Sequence, residues 1–376
     1  MAKLKFGMVG GGPGSNIGAA HKRAICLDST ADLVAGCFSR NLEKSIEQGK
    51  IYGIDLERCY KNYEEMAKAE AAREDGIDFV VIVTPNNTHY AIAKAFLEAG
   101  IHVSCDKPLV TSAAEAEDLQ RIAAEKNLLF MVTYTYTGYI AMKYMRSLIK
   151  NGEIGEIRTV MAEYPQGWLY EGTGGKQGEW RCDPKQSGRV NCLGDLGTHV
   201  ENAVATVTGL KVKRVLAKMD VVVPGRTLDD NDQILIEYEN GATGVYWTSQ
   251  FAIGCNNSLR LRIYGSKGTL LWFQEDPEAV TVIREDGNPC IVKKGTGAVT
   301  EDAAKYGRLP FGHPEGWLES MGNLYDSFGA CVLAKKEGTF TPDMIDYPTI
   351  EEGVAGLKYV EACLESNEKG NVWVTL

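Results

Sequence analysis

Two short segments of this chain carry residue types that can move a proton. Asp106-Lys107-Pro108 ends an apolar run, and Gly194-Asp195-Leu196-Gly197-Thr198-His199 holds an acid and an imidazole four positions apart. On a helix that spacing puts both side chains on one face, where a carboxylate orients an imidazole and stabilises its charged form. The glycines before His199 point to close packing against a ligand or another backbone. The competing reading is an N-cap aspartate beside a satisfied histidine. Lys107 precedes a proline, which biases it away from helix. Partial burial at a strand end would let its amine trade protons near neutral pH, against the plainer reading of an ordinary strand-end lysine.

The elements that must position Lys107 repeat a strand–loop–helix pattern. Residues 5–9 are an apolar run that stops at Gly10-Gly11-Gly12-Pro13-Gly14-Ser15-Asn16-Ile17-Gly18; a helical pattern follows over 19–27 and a second apolar strand over 33–38. Strand, glycine loop, helix, strand is the unit that holds a pyrophosphate on backbone N–H groups and a helix N-terminus. The loop residues expected at the phosphates are Gly10, Gly12, Ser15, Asn16 and Ile17. Further strands are predicted over 79–83, 101–105 and 128–133, with helices over 90–99 and 112–126 between them. This alternation predicts a doubly wound parallel sheet whose ligands sit at the C-terminal strand ends. The same rim then carries Ser39 and Arg40, Thr84, Asn86 and His89, and Asp106 with Lys107. An acidic residue after the second strand would bind a ribose 2′-hydroxyl; Arg40 instead suits a 2′-phosphate or adenine stacking, so these residues alone lean toward NADP.

From about residue 152 the texture changes. Extended segments at 157–164, 212–223, 233–238, 244–251, 259–264 and 268–273, separated by turns such as Asn240-Gly241, predict a largely antiparallel sheet. A helix at 199–208 crosses it, late helices fall near 315–335 and 350–366, and 371–376 reads as a strand. Two domains are expected, residues 1–134 and 135–376. The fold class is α/β: a Rossmann sheet followed by an α/β domain with a large open antiparallel sheet.

Bulk properties exclude several classes of function. The 376 residues carry a net charge of −10, which repels a phosphate backbone, so no nucleic-acid partner is expected. No membrane span or signal peptide is read, and the ten cysteines contain no C-x-x-C pair. Reduced thiols, a cytoplasmic location and no metal site follow as expectations.

The glycine loop, Thr84-Pro85-Asn86 with His89, Asp106-Lys107-Pro108 and the 194–199 motif together resemble the Gfo/Idh/MocA oxidoreductases over essentially the whole chain. The resemblance implies that Lys107 is the catalytic lysine and that Asp195 and His199 face the substrate. It also implies that the outer face of the second sheet builds a homodimer or homotetramer. Asp106 stands where the family usually has Glu, and the glycine loop is longer than G-x-G-x-x-G. Tyr164-Pro165-Gln166-Gly167-Trp168-Leu169, Trp180-Arg181-Cys182-Asp183-Pro184 and Gly312-His313-Pro314-Glu315-Gly316 resemble members acting on glycosides or anhydrosugars, often at C3. Such enzymes generally use NAD, which outweighs the Arg40 hint. Trp168 and Trp180 would stack on a sugar face or, alternatively, pack in the core. Gln166, Arg181 and Asn191 would bind hydroxyls, and Tyr136 would face the substrate. The expected activity is hydride transfer between nicotinamide and a sugar hydroxyl carbon. Its rivals are a cyclitol dehydrogenase, an NADPH-dependent sugar-ketone reductase, a glycosidase that retains NAD, and an NAD(H)-binding sensor.

Overall fold

Apolar runs cut by glycine turns build the first sheet of the computed structural model, which describes residues 3–172 and 175–376. Strands β1 (Leu4–Gly10), β2 (Ala31–Cys37), β3 (Phe79–Val83), β4 (His102–Cys105) and β5 (Phe130–Val132) are all parallel, in the order β2-β1-β3-β4-β5. β3 is buried at every position, as a strand covered on both faces must be. The crossovers carry α1 (Asn16–Ile25), α2 (Leu42–Tyr52), α3 (Tyr63–Ala72), α4 (His89–Glu98) and α5 (Ala113–Glu125). Side chains of Ser15, Asn41, Asn62 and Ser112 accept backbone N–H bonds at four of these helix starts. Outside β2, a parallel bridge between Gly36 and Cys59 and a 2.8 Å bond from Tyr60 N to Gly36 O mark the trace of one more strand. Winding reverses between β1 and β3, the place where open α/β sheets bind ligands.

The second sheet has nine strands: β6 (Ile157–Pro165), β7 (Val212–Asp220), β8 (Asn231–Tyr238), β9 (Thr243–Ser249), β10 (Arg260–Gly265), β11 (Gly268–Phe273), β12 (Ala279–Arg284), β13 (Pro289–Lys293) and β14 (Val374–Thr375). Their order is β13-β12-β11-β10-β6-β9-β8-β7-β14, and every pairing is antiparallel except the central β6–β9. Alternate residues face a core in which Val160, Ile234, Tyr246 and Leu261 pack with α6 (Ile140–Lys150), and with buried residues further along the chain. Short helices α7 (Lys176–Arg181) and α8 (Pro184–Ser187) precede α9 (Thr198–Thr208); α10 (Glu301–Ala304), α11 (Trp317–Glu337) and α12 (Ile350–Glu368) follow the strands. The predicted fold class is the observed one.

Two compact units result: residues up to 135 with Met321–Val354, and Tyr136–Ser320 with Ala355–Leu376. The single boundary expected at 134/135 holds for the first crossing of the chain between the units. Met321–Val354 joins the first unit because Phe328 packs edge-on to Phe79, and Tyr325 bonds His21 and Ser104. All ten cysteines are unbridged thiols. Among the described residues no helix is long and apolar enough to cross a membrane.

Candidate active site

The first unit supplies the rim predicted for a dinucleotide. Gly10 ends β1 at φ +89°, and a Cβ there would lie 2.6 Å from Val83 O. A Cβ on Gly18 would lie 2.4 Å from the Gly11 Cα, so the loop and the first turn of α1 touch backbone to backbone. That contact makes Gly11 and Gly18 as important as the predicted Gly10 and Gly12. Ser15 caps α1, its Oγ accepting from Gly18 N at 3.2 Å, and Asn16 and Ile17 form the first turn. After β2, the Ser39 Oγ accepts from Asn41 N, and Arg40 is exposed.

The other rim loops are tied together by side chains. His89 is buried, with Nε2 2.8 Å from Thr84 O and Nδ1 3.0 Å from Pro108 O, so its ring links the loop after β3 to the loop after β4. Thr84 accepts from Thr88 through their hydroxyls, and Asn86 is buried in the intervening turn. Asp106 Oδ1 accepts from Lys107 N at 2.9 Å and from Thr133 Oγ1 at 3.0 Å, which fixes where the Lys107 backbone emerges from β4. The Lys107–Pro108 peptide is cis. His21 lies under this rim. Its Nδ1 is 2.6 Å from the Tyr325 hydroxyl and its Nε2 4.0 Å from Asp106. Burial holds the His21 imidazole below its ordinary range, with the Asp106 charge opposing.

The second unit gathers most of the predicted substrate residues. Residues 193–197 form a π-helical turn that runs into α9, where an ordinary helix was expected. Wide turns of this kind recur at functional sites. Asp195 is half-buried on the turn, and His199 is 7% exposed in the first turn of α9. Arg181 donates its Nε to Asp195 Oδ2 at 2.9 Å, and its guanidinium lies 4.3 Å from the Trp180 ring centre and 5.7 Å from that of Trp168. Arg181 therefore holds the Asp195 carboxylate from one side. Asn191 is 1% exposed and donates Nδ2 to Gln250 Oε1 at 2.7 Å; Gln250 reaches Asp195 with its Nε2 at 3.4 Å.

Beside His199 is a closed polar ring. The Tyr136 ring centre is 4.8 Å from that of His199. Tyr136 donates to Tyr164, Tyr164 to Asn257 Oδ1, and Asn257 Nδ2 back to Tyr136 at 2.9 Å. Gln166 adds a 2.7 Å bond to Asn257, and Trp168 Nε1 donates to Gln166 Oε1 at 2.7 Å. Burial pushes both phenols up, Tyr164 furthest, so they stay protonated and the cycle has a donor for each acceptor. Trp168 is 38% exposed, which rules out plain core packing for it. Asn257 and Gln250 were missed; the polar run Asn256-Asn257-Ser258 between two strands was the only hint. Elsewhere in this unit the fold brings Cys192, Asp229 and Asp232 within 4.8 Å of one another.

Residues 4–134 match the model of an oxidoreductase family with an NAD-binding Rossmann fold, and residues 142–271 match the GFO/IDH/MocA C-terminal domain. The chain belongs to the Gfo/Idh/MocA oxidoreductases. It is an NAD-dependent oxidoreductase of that family, and its first unit is the family's NAD-binding Rossmann fold. Within the family, it is 38% identical to the uncharacterized oxidoreductase YfiI of Bacillus subtilis, over 99% of this chain and 96% of that one. Levoglucosan dehydrogenase of Pseudarthrobacter phenanthrenivorans is 28% identical over 55% of this chain and 58% of its own length. Among solved structures, an inositol dehydrogenase homolog from Azotobacter vinelandii complexed with NAD+ is 36% identical. It superposes with a TM-score of 0.95 and is matched over 100% of this chain and 97% of that one.

Proposed function

We propose that this oxidoreductase moves a hydride between NAD and a ring hydroxyl carbon of a sugar or glycoside, C3 in the glycoside case. The observation that carries the reading is a cluster of polar and aromatic side chains in the second unit. A half-exposed indole at Trp168, a guanidinium at Arg181, the carboxylate of Asp195 and the imidazole of His199 lie together, which suits a ring with one apolar face and an edge of hydroxyls. A cyclitol is the second reading, favoured by the Azotobacter relative, whose structure is also known with NADH and myo-inositol at 36% identity.

NAD, when bound, accepts the hydride. Gly10, Gly12, Ser15, Asn16 and Ile17 would hold it on the backbone of a helix start, with Ser39, Arg40, Thr84, Asn86 and Asp106 around the same strand ends. His89 serves by holding two of those loops. The hydroxyl proton passes to Lys107 or His199 as the C–H bond breaks, and Asp195, held by Arg181, orients the substrate edge. In the second sheet Met161, Leu235 and Val245 are exposed on adjacent strands and form a continuous apolar patch, which supports a homodimer or homotetramer built on that face.

The test is a panel of sugars, glycosides and inositols with NAD and with NADP, followed by the absorbance of the reduced nicotinamide. Turnover with one polyol class and NAD is expected. NAD(H) binding without hydride exchange on any polyol would point to a sensor, and hydrolysis without net NADH to a glycosidase that retains its cofactor. Lys107→Ala and His199→Ala should each lower kcat by about 10²–10⁴-fold. Wild-type turnover at saturating substrate would remove that residue from the mechanism, and a His199→Asn change that raises only KM would make the histidine a binder.

A further inference from the structure

Outside the pocket, the second unit buries two carboxyls side by side. Asp229 and Asp232 are 6% and 0% exposed, and the carboxylate oxygens and the Cys192 sulfur lie within 4.8 Å of one another. Asp229 grips the start of the 191–199 segment with every oxygen it has. Its Oδ1 accepts from Asn191 N at 2.7 Å, its Oδ2 from Leu193 N at 2.6 Å, and its backbone carbonyl from Cys192 N at 3.2 Å. Asp232 accepts from Thr248 Oγ1 at 2.8 Å through Oδ2, while its Oδ1 has no donor.

A buried acceptor without a donor is costly, and two adjacent buried carboxylates repel. One proton removes both costs at once, since a neutral Asp232 is itself a donor. The groups facing the pair supply no positive charge: Cys192 on its own segment, and Tyr359 and Cys363 of α12, with Glu201 of α9 behind Tyr359. The nearby Asp230 differs, because Arg226 meets it at 3.4 Å and Val222 N and Val223 N donate to it. Burial raises both members of the pair, Asp232 further, because the Asp229 charge adds to its desolvation while amides hold Asp229 down.

We propose that Asp229 and Asp232 share one proton, Asp229 as carboxylate and Asp232 as neutral acid, and that this pair positions the segment carrying Asp195 and His199. The grip reaches Asp195 by two routes. Asp195 N donates to Asn191 O at 2.8 Å, and the Asn191 side chain holds Gln250, which holds Asp195. Both carboxyls are positioning residues that act through the π-helical turn. The catalytic consequence rests on the function proposed above; the proton does not.

The experiment uses the full chain as wild type, Asp232→Asn, Asp229→Asn and Gln250→Leu. Infrared difference spectra between wild type and Asp232→Asn at neutral pH should show a protonated-carboxyl band in the wild type alone. Asp232→Asn keeps a neutral donor in place, so its kcat should stay within about twofold of wild type, whereas Asp229→Asn should lose about tenfold or more through misplacement of the turn. Gln250→Leu leaves the pair intact, and should lower kcat while NAD affinity holds, which keeps the link to Asp195 testable if Asp229→Asn does not fold. No such band, an Asp232→Asn loss equal to that of Asp229→Asn, or a stoichiometric divalent metal in the purified protein would each overturn the shared proton. A wild type inactive on every polyol would instead fail the proposed function, and the infrared band would still decide the proton.

Discussion

The two units hold their functional groups by different means. At the rim of the parallel sheet the holds end on main chain: the Gly11–Gly18 contact, the Gly10 turn, and the loop amides and carbonyls met by Ser15, His89 and Asp106. In the second unit most run from side chain to side chain: Arg181 on Asp195, Asn191 on Gln250 and the Tyr136–Tyr164–Asn257 cycle beside His199, with the Asp229 carboxylate on two amides. Main-chain recognition tolerates change at most positions and fails at a few glycines. Side-chain recognition offers many positions where one substitution can retune the substrate.

Four substitutions would break or sharpen that contrast. Gly18→Val should act most strongly, because even a Cβ overlaps the Gly11 backbone; calorimetry should find NAD binding weakened by about a hundredfold, with a lower Tm. An unchanged NAD affinity would mean that the loop has slack. Arg181→Lys keeps the charge and loses the planar fork, so the polyol KM should rise about tenfold with NAD affinity unchanged. If cofactor affinity moved as well, the two units would not divide recognition as stated. Trp168→Phe keeps an aromatic face and removes the bond to Gln166; steady-state kinetics should show a KM increase of about threefold and the same kcat.

The fourth effect is on stability, not on binding, and belongs to the parallel sheet. Burial lowers the His102 imidazole to about 4, below its ordinary 6.5, and its Nδ1 accepts from Leu129 N at 3.0 Å. A folded value below the unfolded one contributes stability above pH 6.5 that is lost as pH falls toward 4, by about 2 kcal/mol. Thermal melts should show His102→Gln losing less Tm between pH 7 and pH 4.5 than wild type. Parallel losses would place the acid sensitivity elsewhere, with His21 the next candidate since burial lowers it in the same direction.

Legibility in the sequence followed the range of the contacts. The alternation of apolar strands and capped helices, the glycine loop and the 194–199 motif are written within a few residues of each other, and the sheet, the rim and the approach of Asp195 and His199 to one turn could be read. The π-helical form of that turn could not, and the aspartate that holds its start is 36 to 38 positions away. Gln250 meets Asn191 across 59 positions and Asn257 meets Tyr136 across 121, and neither partner has a local pattern that marks it. Met321–Val354 reads as plain helix and loop; only the packing of Phe328 on Phe79 reveals which unit it joins.

The parallel β6–β9 pair has a consequence for synthesis. β6 is the first strand of its sheet to leave the ribosome, yet both its neighbours, β9 and β10, are made later, and Thr159 waits 84 residues for Thr243. Until then the strand at the middle of the finished sheet has two unsatisfied edges, and Arg181, Asp195 and His199 all lie on the chain still looped between its halves. A nascent chain stalled before residue 243 would therefore present an aggregation-prone edge and no pocket, so this half matures in one late step that chaperones would have to shelter.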